Sequence, residues 1–205
     1  VFYLISIMRK IILASNNQHK IKEFKEIFFD AEILSLNDIG YCDDIVEDGE
    51  TFLENALIKG NAVHEFLKEK GIEADVIADD SGLCVNALNG EPGVYSARYA
   101  GGHGNNADNR AKLLKKLEGK NDRSAYFVCC LVKMFPSGEY IYSEGKTYGT
   151  ILKEEIGDKS FGYDCIFLSD DLHKSFGEAS DEEKNKVSHR GRAIANLIEK
   201  MKIRE

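Results

Sequence analysis

The sequence lacks the features of several protein classes. No apolar stretch approaches the roughly 20 residues that cross a membrane. Positive charge is also scarce, with 27 lysines and arginines against 35 aspartates and glutamates and a formal net charge of -8. Because a groove for a long nucleic acid usually carries a basic excess, we expect neither a membrane nor a long nucleic acid as a partner. A single nucleotide is still compatible, since a metal ion and a few lysines can neutralise its phosphates locally.

Cysteine spacing typical of zinc sites is also missing. The chain has five cysteines, an odd number, and none forms a CxxC pair. We interpret them as reduced thiols of a cytoplasmic protein and expect neither zinc nor disulfides. The N-terminus, VFYLISIMRKIILAS, has no positive charge before its apolar run and no small-residue cleavage site, unlike a secretory signal. We expect residues 1–7 to be an extension upstream of a start at Met8.

Repeats, low-complexity segments and linkers are absent, and only two prolines occur. The 205 residues fit a single domain over 1–205 with a substantial core. Short apolar runs predict strands at 10–15, 31–36, 74–79, 83–88, 124–135 and 140–152. Apolar residues spaced three and four apart predict helices near 21–28, 51–70, 107–117 and 194–201. This mixture of βα units and a long hairpin predicts an α/β fold with a mixed sheet.

Two segments have the composition of a phosphate or metal site. SNNQHK, residues 15–20, lies between the first predicted strand and helix, where exposed N–H groups bind phosphate well and Lys20 lies near the first turn. An ordinary Asn-rich helix cap explains the same residues. Glu47 in VEDGETFLENA precedes the second predicted helix, as a candidate metal ligand or as an acidic helix cap.

The adjacent aspartates Asp79 and Asp80 follow an apolar run and precede Ser81 and Gly82. Crowded or buried carboxylates are costly unless a cation or hydrogen bonds compensate them. A strand's C-terminal end is a usual place for ligand chemistry in α/β sheets, and Mg²⁺ needs only one or two carboxylates because it keeps several waters. The pair therefore predicts a metal site, with an Asx turn closed by Ser81 and Gly82 as the alternative.

Two later segments could bind a nucleotide base. In FGYDC, residues 161–165, a base could stack on Phe161 or Tyr163 and hydrogen-bond to Asp164. The alternative is an aromatic core with a capping aspartate. In EKNKVSHRGRA, His189 and Arg190 could donate to a keto oxygen, or they could form a solvated charge cluster at the start of the last helix.

Together, and in this order, these segments resemble the Ham1/inosine triphosphate pyrophosphatase family. The matching segments extend from residue 14 to 193 and read ASNNQHKIKE, EDGETFLENA, ADDSGLCVNALNGEPGVYSARYAG, FGYDCIF and EEKNKVSHRGRA. The resemblance implies Mg²⁺-dependent hydrolysis of noncanonical purine nucleoside triphosphates (ITP, dITP and XTP) to the monophosphate and pyrophosphate, by a homodimer. It also implies a mixed, strongly twisted central sheet with flanking helices and two lobes around a nucleotide cleft.

The resemblance also implies a role for each matched residue. Glu47 and Asp80 would hold Mg²⁺, Asp80 would also accept the proton of the attacking water, and Ser81 would contact substrate. The triphosphate would be held by Ser15, Asn16, Asn17 and Lys20, with Lys59 as a helper. Gln18 and His19 of the same loop would also bind substrate. The base side of the pocket would be formed by Phe161, Gly162, Tyr163, Asp164, Lys184, His189 and Arg190.

The chain departs from the family pattern at two places. The family usually has proline after FGYD, where this chain has Cys165, which frees φ and adds an N–H donor. The first loop has Ser15 and Asn16 where the family often has Thr-Gly. The change at 165 removes no functional group, and we treat both differences as tolerable.

Base choice follows from hydrogen-bond types. A 6-keto purine presents O6 as an acceptor and N1–H as a donor, whereas adenine presents the reverse, so buried His or Arg donors would be left unpaired against adenine. Two other functions fit the same segments. One is a pyrophosphatase of related fold that acts on modified pyrimidine or standard triphosphates, and the other is a nucleotide-binding regulator without turnover.

Overall fold

The computed structural model describes residues 9–28, 30–101, 105–158 and 161–203. The expected upstream extension, residues 1–7, and Met8 lie outside these ranges. Within them, no helix is both long enough and apolar enough to span a membrane.

The described strands form one mixed, six-stranded sheet with the order β2-β1-β3-β4-β5-β6. β1 runs parallel to β2 and to β3, while β5 and β6 are antiparallel, as the predicted mixed sheet requires. The strands are β1 (Arg9–Leu13), β2 (Ala31–Leu34), β3 (Asp75–Val85), β4 (Ser124–Met134), β5 (Tyr140–Ile151) and β6 (Phe167–Ser169).

Helices account for most of the remaining elements in the described ranges. They are α1 (Gln18–Ile27), α2 (Phe52–Glu69), α3 (Asn106–Lys116), α4 (Asp181–Val187) and α5 (His189–Lys202), with 3₁₀ turns at Asn86–Leu88, Gly93–Arg98 and Asp164–Ile166. The single final helix predicted from periodicity is therefore preceded by a separate helix, α4. Ser188 ends α4 in an extended conformation and caps α5 by accepting from the Gly191 N–H.

The chain divides into two compact units, each with its own apolar cluster. The first unit comprises the described residues of Val1–Gly49, Leu53–Asp79 and Leu131–Tyr142, with Ile12, Val63 and Val76 among its core residues. The second unit comprises those of Glu50–Phe52, Asp80–Cys130 and Ser143–Glu205, with Leu83, Phe127, Phe167 and Phe176 in its core. The single domain and the nucleotide cleft expected from the sequence stay predictions.

β3 differs from the sequence prediction, because it continues through the double aspartate. Residues 75–85 form one strand, so the Asx turn considered at Ser81 and Gly82 is wrong, and the extended segment predicted over 83–88 changes to a 3₁₀ turn after Val85. Gly82 lets this strand approach its neighbours, since a Cβ there would lie 2.4 Å from the Gly93 carbonyl oxygen and 2.6 Å from Ser96 Oγ. Ser96 Oγ also accepts from the Leu83 N–H at 2.9 Å, which fixes the strand beyond the polar residues.

β5 contains two glycines at points of close packing. Gly145 and Gly149 lie inside the strand, where each allows a close approach of backbone. A Cβ on Gly145 would lie 2.2 Å from the His189 carbonyl oxygen and 2.3 Å from the Ala193 nitrogen. The first turn of α5 is thus seated directly against β5.

Candidate functional site

The loop after β1 is ordered by its own polar side chains. Asn17 caps α1, since its Oδ1 accepts from the backbone N–H groups of His19 and Lys20 at 3.0 and 3.3 Å. Ser15 Oγ accepts from the Asn17 N–H at 3.1 Å, and Asn16 Oδ1 accepts from the Asn37 N–H at 2.8 Å. The helix-cap interpretation of this segment is confirmed for Asn17. The phosphate role of the loop, including Gln18 and His19, stays a prediction.

Asp79 is buried in the first unit and has a cationic partner from α1. Its carboxylate is 2.9 Å from Lys20 Nζ, and its side chain is only 1% exposed. An ammonium group has three N–H donors, so Lys20 can hold Asp79 and still present donors to another anion. The cation that compensates the first aspartate of the pair is therefore a lysine side chain.

Glu47 is held in the first unit by a lysine of α2. Lys59 Nζ lies 2.6 Å from Glu47 Oε2, and the lysine side chain is 9% exposed against 31% for the glutamate. The loop before α2 is fixed beside this pair, because Asn55 Oδ1 accepts from the Gly49 N–H at 2.9 Å. Glu47 is thus a placed carboxylate at the entrance to α2, and the roles predicted for Glu47 and Lys59 toward metal and substrate stay predictions.

Asp80 is the first β3 residue of the second unit, and its side chain points to the opposite face of the strand from that of Asp79. Successive side chains of a strand point to opposite faces, so the two carboxylates leave β3 on opposite sides. Asp80 is 9% exposed, and Ser81 follows it within the same strand. Among the described residues, no group of three or more His, Cys, Asp or Glu residues is arranged to hold a metal ion. Carboxylate oxygens are nevertheless the ligand type that Mg²⁺ prefers, and one or two suffice when water completes its shell.

In the second unit, the segment FGYD is tied to α4. Lys184 Nζ lies 2.6 Å from Asp164 Oδ2, with both groups buried, and the same Nζ is 6.0 Å from the centre of the Phe161 ring. Tyr163 is a core residue whose OH donates to the Ser96 carbonyl at 2.8 Å, and burial raises its pKa. The aromatic-core interpretation is thus confirmed for Tyr163. Phe161, which is only partly buried, is the better placed of the two rings for stacking a base.

His189 and Arg190 occupy the first turn of α5 and are buried, at 7% and 4% exposure. The interpretation of this segment as a solvated charge cluster is therefore wrong for these two residues. The imidazole stacks on the Phe127 ring with centroids 4.9 Å apart and an interplanar angle of 16°. Both side chains have further interactions, but two of their buried nitrogen atoms, His189 Nδ1 and Arg190 Nε, make no hydrogen bond within the described part of the chain.

Sequence reasoning missed two residues that support the candidate site. Asp79 received no role of its own, although it holds Lys20, and Arg110 was overlooked, although its Nη1 donates to the Gly162 carbonyl at 2.9 Å. The two contacts join residues 59 and 52 positions apart in the chain. A local pattern carries no signal for such pairings.

Comparisons with known proteins identify relatives over nearly the whole chain. A model of the Ham1 family matches residues 11–200. The dITP/XTP pyrophosphatase of Clostridium perfringens is 50% identical over 201 residues, which cover 95% of this chain and 98% of the relative. The protein of the same name from Bacillus anthracis is 42% identical over 200 residues, with 95% and 96% covered.

Solved structures agree with the sequence comparisons. The Staphylococcus aureus Ham1 protein superposes with a TM-score of 0.84 at 42% identity, covering 96% of this chain and 100% of that one. A HAM1 protein from Coxiella burnetii gives a TM-score of 0.83 at 36% identity, with 95% and 99% covered. The chain therefore belongs to the Ham1 family.

Proposed function

We propose that this chain is a nucleoside triphosphate pyrophosphatase that hydrolyses noncanonical purine nucleoside triphosphates, namely ITP, dITP and XTP, to the monophosphate and pyrophosphate. The observation that carries the proposal is the 50% identity, over 95% of the chain, with a protein named dITP/XTP pyrophosphatase. Such a hydrolase of acid anhydrides would act in nucleotide metabolism by removing damaged purines from the nucleotide pool.

The triphosphate would bind at the loop after β1 and at the two lysines of the first unit. The substrate carries about four negative charges, so an acidic protein must supply local positive charge. Lys20, held by Asp79 at 2.9 Å, and Lys59, held by Glu47 at 2.6 Å, are cations whose positions are fixed before substrate arrives. Fixed cations of this kind lose little conformational entropy on binding, which favours phosphate recognition.

The metal ligands would be Glu47 and Asp80. Their oxygen donors fit Mg²⁺. A zinc site would favour thiolate or imidazole ligands, and this pair contains neither. When bound, Mg²⁺ would supply neutralisation of phosphate charge and polarisation of the phosphoryl group. Its identity as Mg²⁺ is part of the proposal.

Asp80 would also act as the proton acceptor. A water molecule would attack the α-phosphorus, the Asp80 carboxylate would take its proton, and pyrophosphate would leave with the electrons of the broken anhydride bond. The support for this role is the position of Asp80, a buried carboxylate of β3 that directly precedes Ser81, which would contact the substrate.

The purine would be recognised in the second unit. Phe161 would stack on the base, and the buried donors of His189 and Arg190 would point to O6. The Asp164 carboxylate accepts a hydrogen bond from Lys184 Nζ. A carboxylate has several lone pairs, so it could also accept a hydrogen bond from the purine N1–H. Adenine would leave these donors and this acceptor unmatched, which is the expected basis of discrimination.

We further propose that the protein is a cytoplasmic homodimer. Five free thiols are typical of a reducing compartment. The exposed rings of Tyr95 and Tyr148, at 59% and 55%, are the kind of surface that self-association covers. Sedimentation of the purified chain tests the dimer, and a single species of monomer mass at micromolar concentration would contradict it.

The test of function is a substrate panel with Mg²⁺. We expect ITP, dITP and XTP to yield monophosphate and pyrophosphate at rates far above those for ATP, GTP and dUTP. Preference for a modified pyrimidine or a standard triphosphate would instead indicate a pyrophosphatase of different specificity. Tight binding of ITP without any product would indicate a nucleotide-binding regulator.

A further inference from the structure

Arg110 joins two segments of the second unit that are distant in sequence. This residue of α3 is 4% exposed, and its guanidinium binds both oxygens of Glu155, with Nε 2.7 Å from Oε1 and Nη2 3.4 Å from Oε2. Its remaining terminal nitrogen, Nη1, donates to the Gly162 carbonyl at 2.9 Å. One planar side chain therefore binds a carboxylate and a backbone carbonyl at the same time.

Glu155 extends this connection to the end of the FGYDC segment. The hydrogen bond with Arg110 is the chief cause that lowers the pKa of the Glu155 carboxylate, and Ile156 follows Glu155 directly in the chain. The backbones of the two segments are also paired, because the Ile156 N–H donates to the Cys165 carbonyl at 2.7 Å. Arg110 thus holds Gly162 directly and, through Glu155, holds the segment whose Ile156 pairs with Cys165, so its contacts lie on either side of Tyr163 and Asp164.

Position 165 is a cysteine, so its own residue type does not fix the backbone of this segment. A proline there would fix φ at about -65° and remove an N–H. The Arg110 guanidinium restricts the same segment by side-chain contacts, because it binds the Gly162 carbonyl and the carboxylate of Glu155, the neighbour of Ile156.

We propose that Arg110 is a positioning residue that, together with Glu155, holds the FGYDC segment in its base-binding conformation. The base-binding role of this segment rests on the proposed function. The positioning role does not, because the contacts exist within the protein alone.

Hydrogen exchange tests the positioning role without reference to activity. Arg110→Met keeps an apolar stem but removes the guanidinium, and we expect amide exchange in residues 161–166 to quicken by about tenfold or more. The matched control is Arg123→Met, because Arg123 also binds backbone carbonyls, those of Leu117, Ile151 and Leu152, without contacting the segment. Exchange in 161–166 should be unchanged in that control.

Kinetics test the consequence for the base. In Arg110→Met the KM for dITP and XTP should rise about tenfold, because a mobile FGYDC segment would position the purine base less accurately. Inhibition by pyrophosphate, which reports on the phosphate end, should not change. Adding Cys165→Pro to Arg110→Met should restore most of the wild-type KM and exchange rate, a rescue that a general loss of stability would not show.

A second variant covers the case in which Arg110→Met fails to fold. Glu155 is 47% exposed at its side chain, so Glu155→Gln should fold and should loosen the segment in the same direction. The proposal is overturned if both variants exchange like Arg123→Met, or if Cys165→Pro rescues neither measurement. Failure of the proposed function is distinguishable, because wild type would then release no pyrophosphate from dITP or XTP while the exchange comparison still decides the role of Arg110.

Discussion

At the scale of single residues, Asp79 and Asp80 have different partners. Asp79 is compensated by Lys20 within the first unit, whereas Asp80 leaves β3 on the opposite face and begins the second unit. Of the two aspartates, Asp80 is therefore the one with the proposed metal role, and Asp79 would act on the position of a lysine. The two following predictions separate these roles.

Asp80→Asn should leave the fold intact and remove most turnover. The amide keeps the size of the carboxylate but cannot accept a proton from water, and general-base losses are on the order of a hundredfold or more. Pyrophosphate release from ITP at saturating Mg²⁺ measures the effect. The matched control is Asp44→Asn, which makes the same change at an exposed residue. A rate near that of wild type would remove Asp80 from the mechanism.

Lys20→Ala should lower both the stability of the protein and its affinity for the triphosphate. It leaves the Asp79 carboxylate buried without its ion-pair partner, which costs roughly 3 kcal/mol in the free energy of unfolding. Adding Asp79→Asn should recover part of that stability, because the buried charge is removed, but not the affinity for ITP. Urea unfolding and ITP binding measure the two effects. Affinity that recovers together with stability would show that Lys20 acts only on the fold.

At the scale of secondary structure, the close contact of α5 with β5 positions His189 and Arg190. The carbonyl of His189 lies against Gly145, and Ser143 Oγ donates to the Ala193 carbonyl at 2.7 Å. The strand therefore sets the position of the helical turn that carries the predicted base-recognising donors.

Gly145→Ala should consequently destabilise the protein by roughly 1–3 kcal/mol, because a Cβ at 2.2 Å from a backbone oxygen forces α5 away from the strand. The matched control is Gly60→Ala in α2, where the nearest atom to a new Cβ is 3.6 Å away and helix propensity favours alanine. Thermal unfolding of both variants checks the prediction. Equal midpoints would mean that β5 can shift without cost.

Local patterns in the sequence predicted most helices and strands, but they did not predict where β3 ends or that β6 exists. Apolar periodicity located β1, β2, β4, β5 and the cores of α1, α2 and α3 to within a few residues. The turn considered as an alternative at Ser81 and Gly82 is absent, because the segment continues as β3 and Lys20 and Ser96, both distant in sequence, bind the residues around it. β6 has three residues, too few for a periodic signal.

The candidate site was predicted from motifs in their order, and its pairings were not. Lys184 binds Asp164 across 20 positions and Lys20 binds Asp79 across 59, and neither contact follows from composition or spacing. The burial of site residues could not be predicted from the sequence either. Arginine is usually exposed, yet Arg190 is buried in the fold. These contacts depend on tertiary structure.

At the scale of the whole molecule, buried thiols and phenols should limit stability at alkaline pH. Burial raises the pKa values of the Cys84 and Cys165 thiols, and it raises that of Cys130 to about 12 and that of Tyr99 to about 12. The corresponding pKa values without burial are 9.0 for the thiols and 10.0 for tyrosine. As pH rises past 9, the unfolded chain therefore releases protons that the folded chain retains.

These groups should accordingly leave the free energy of unfolding unchanged between about pH 7 and pH 8 and lower it from about pH 9 toward pH 12, by up to about 1.4 kcal/mol per pH unit for each group. Urea titrations at pH 7.5 and pH 10.5 measure the fall. Cys130→Ala should reduce it, because one retained proton is removed, whereas Cys42→Ala changes an exposed thiol and should leave it unchanged. An equal fall in wild type and Cys130→Ala would show that the Cys130 thiol ionises as readily in the folded chain as in the unfolded one, and that its burial between β-strands contributes nothing to the alkaline limit.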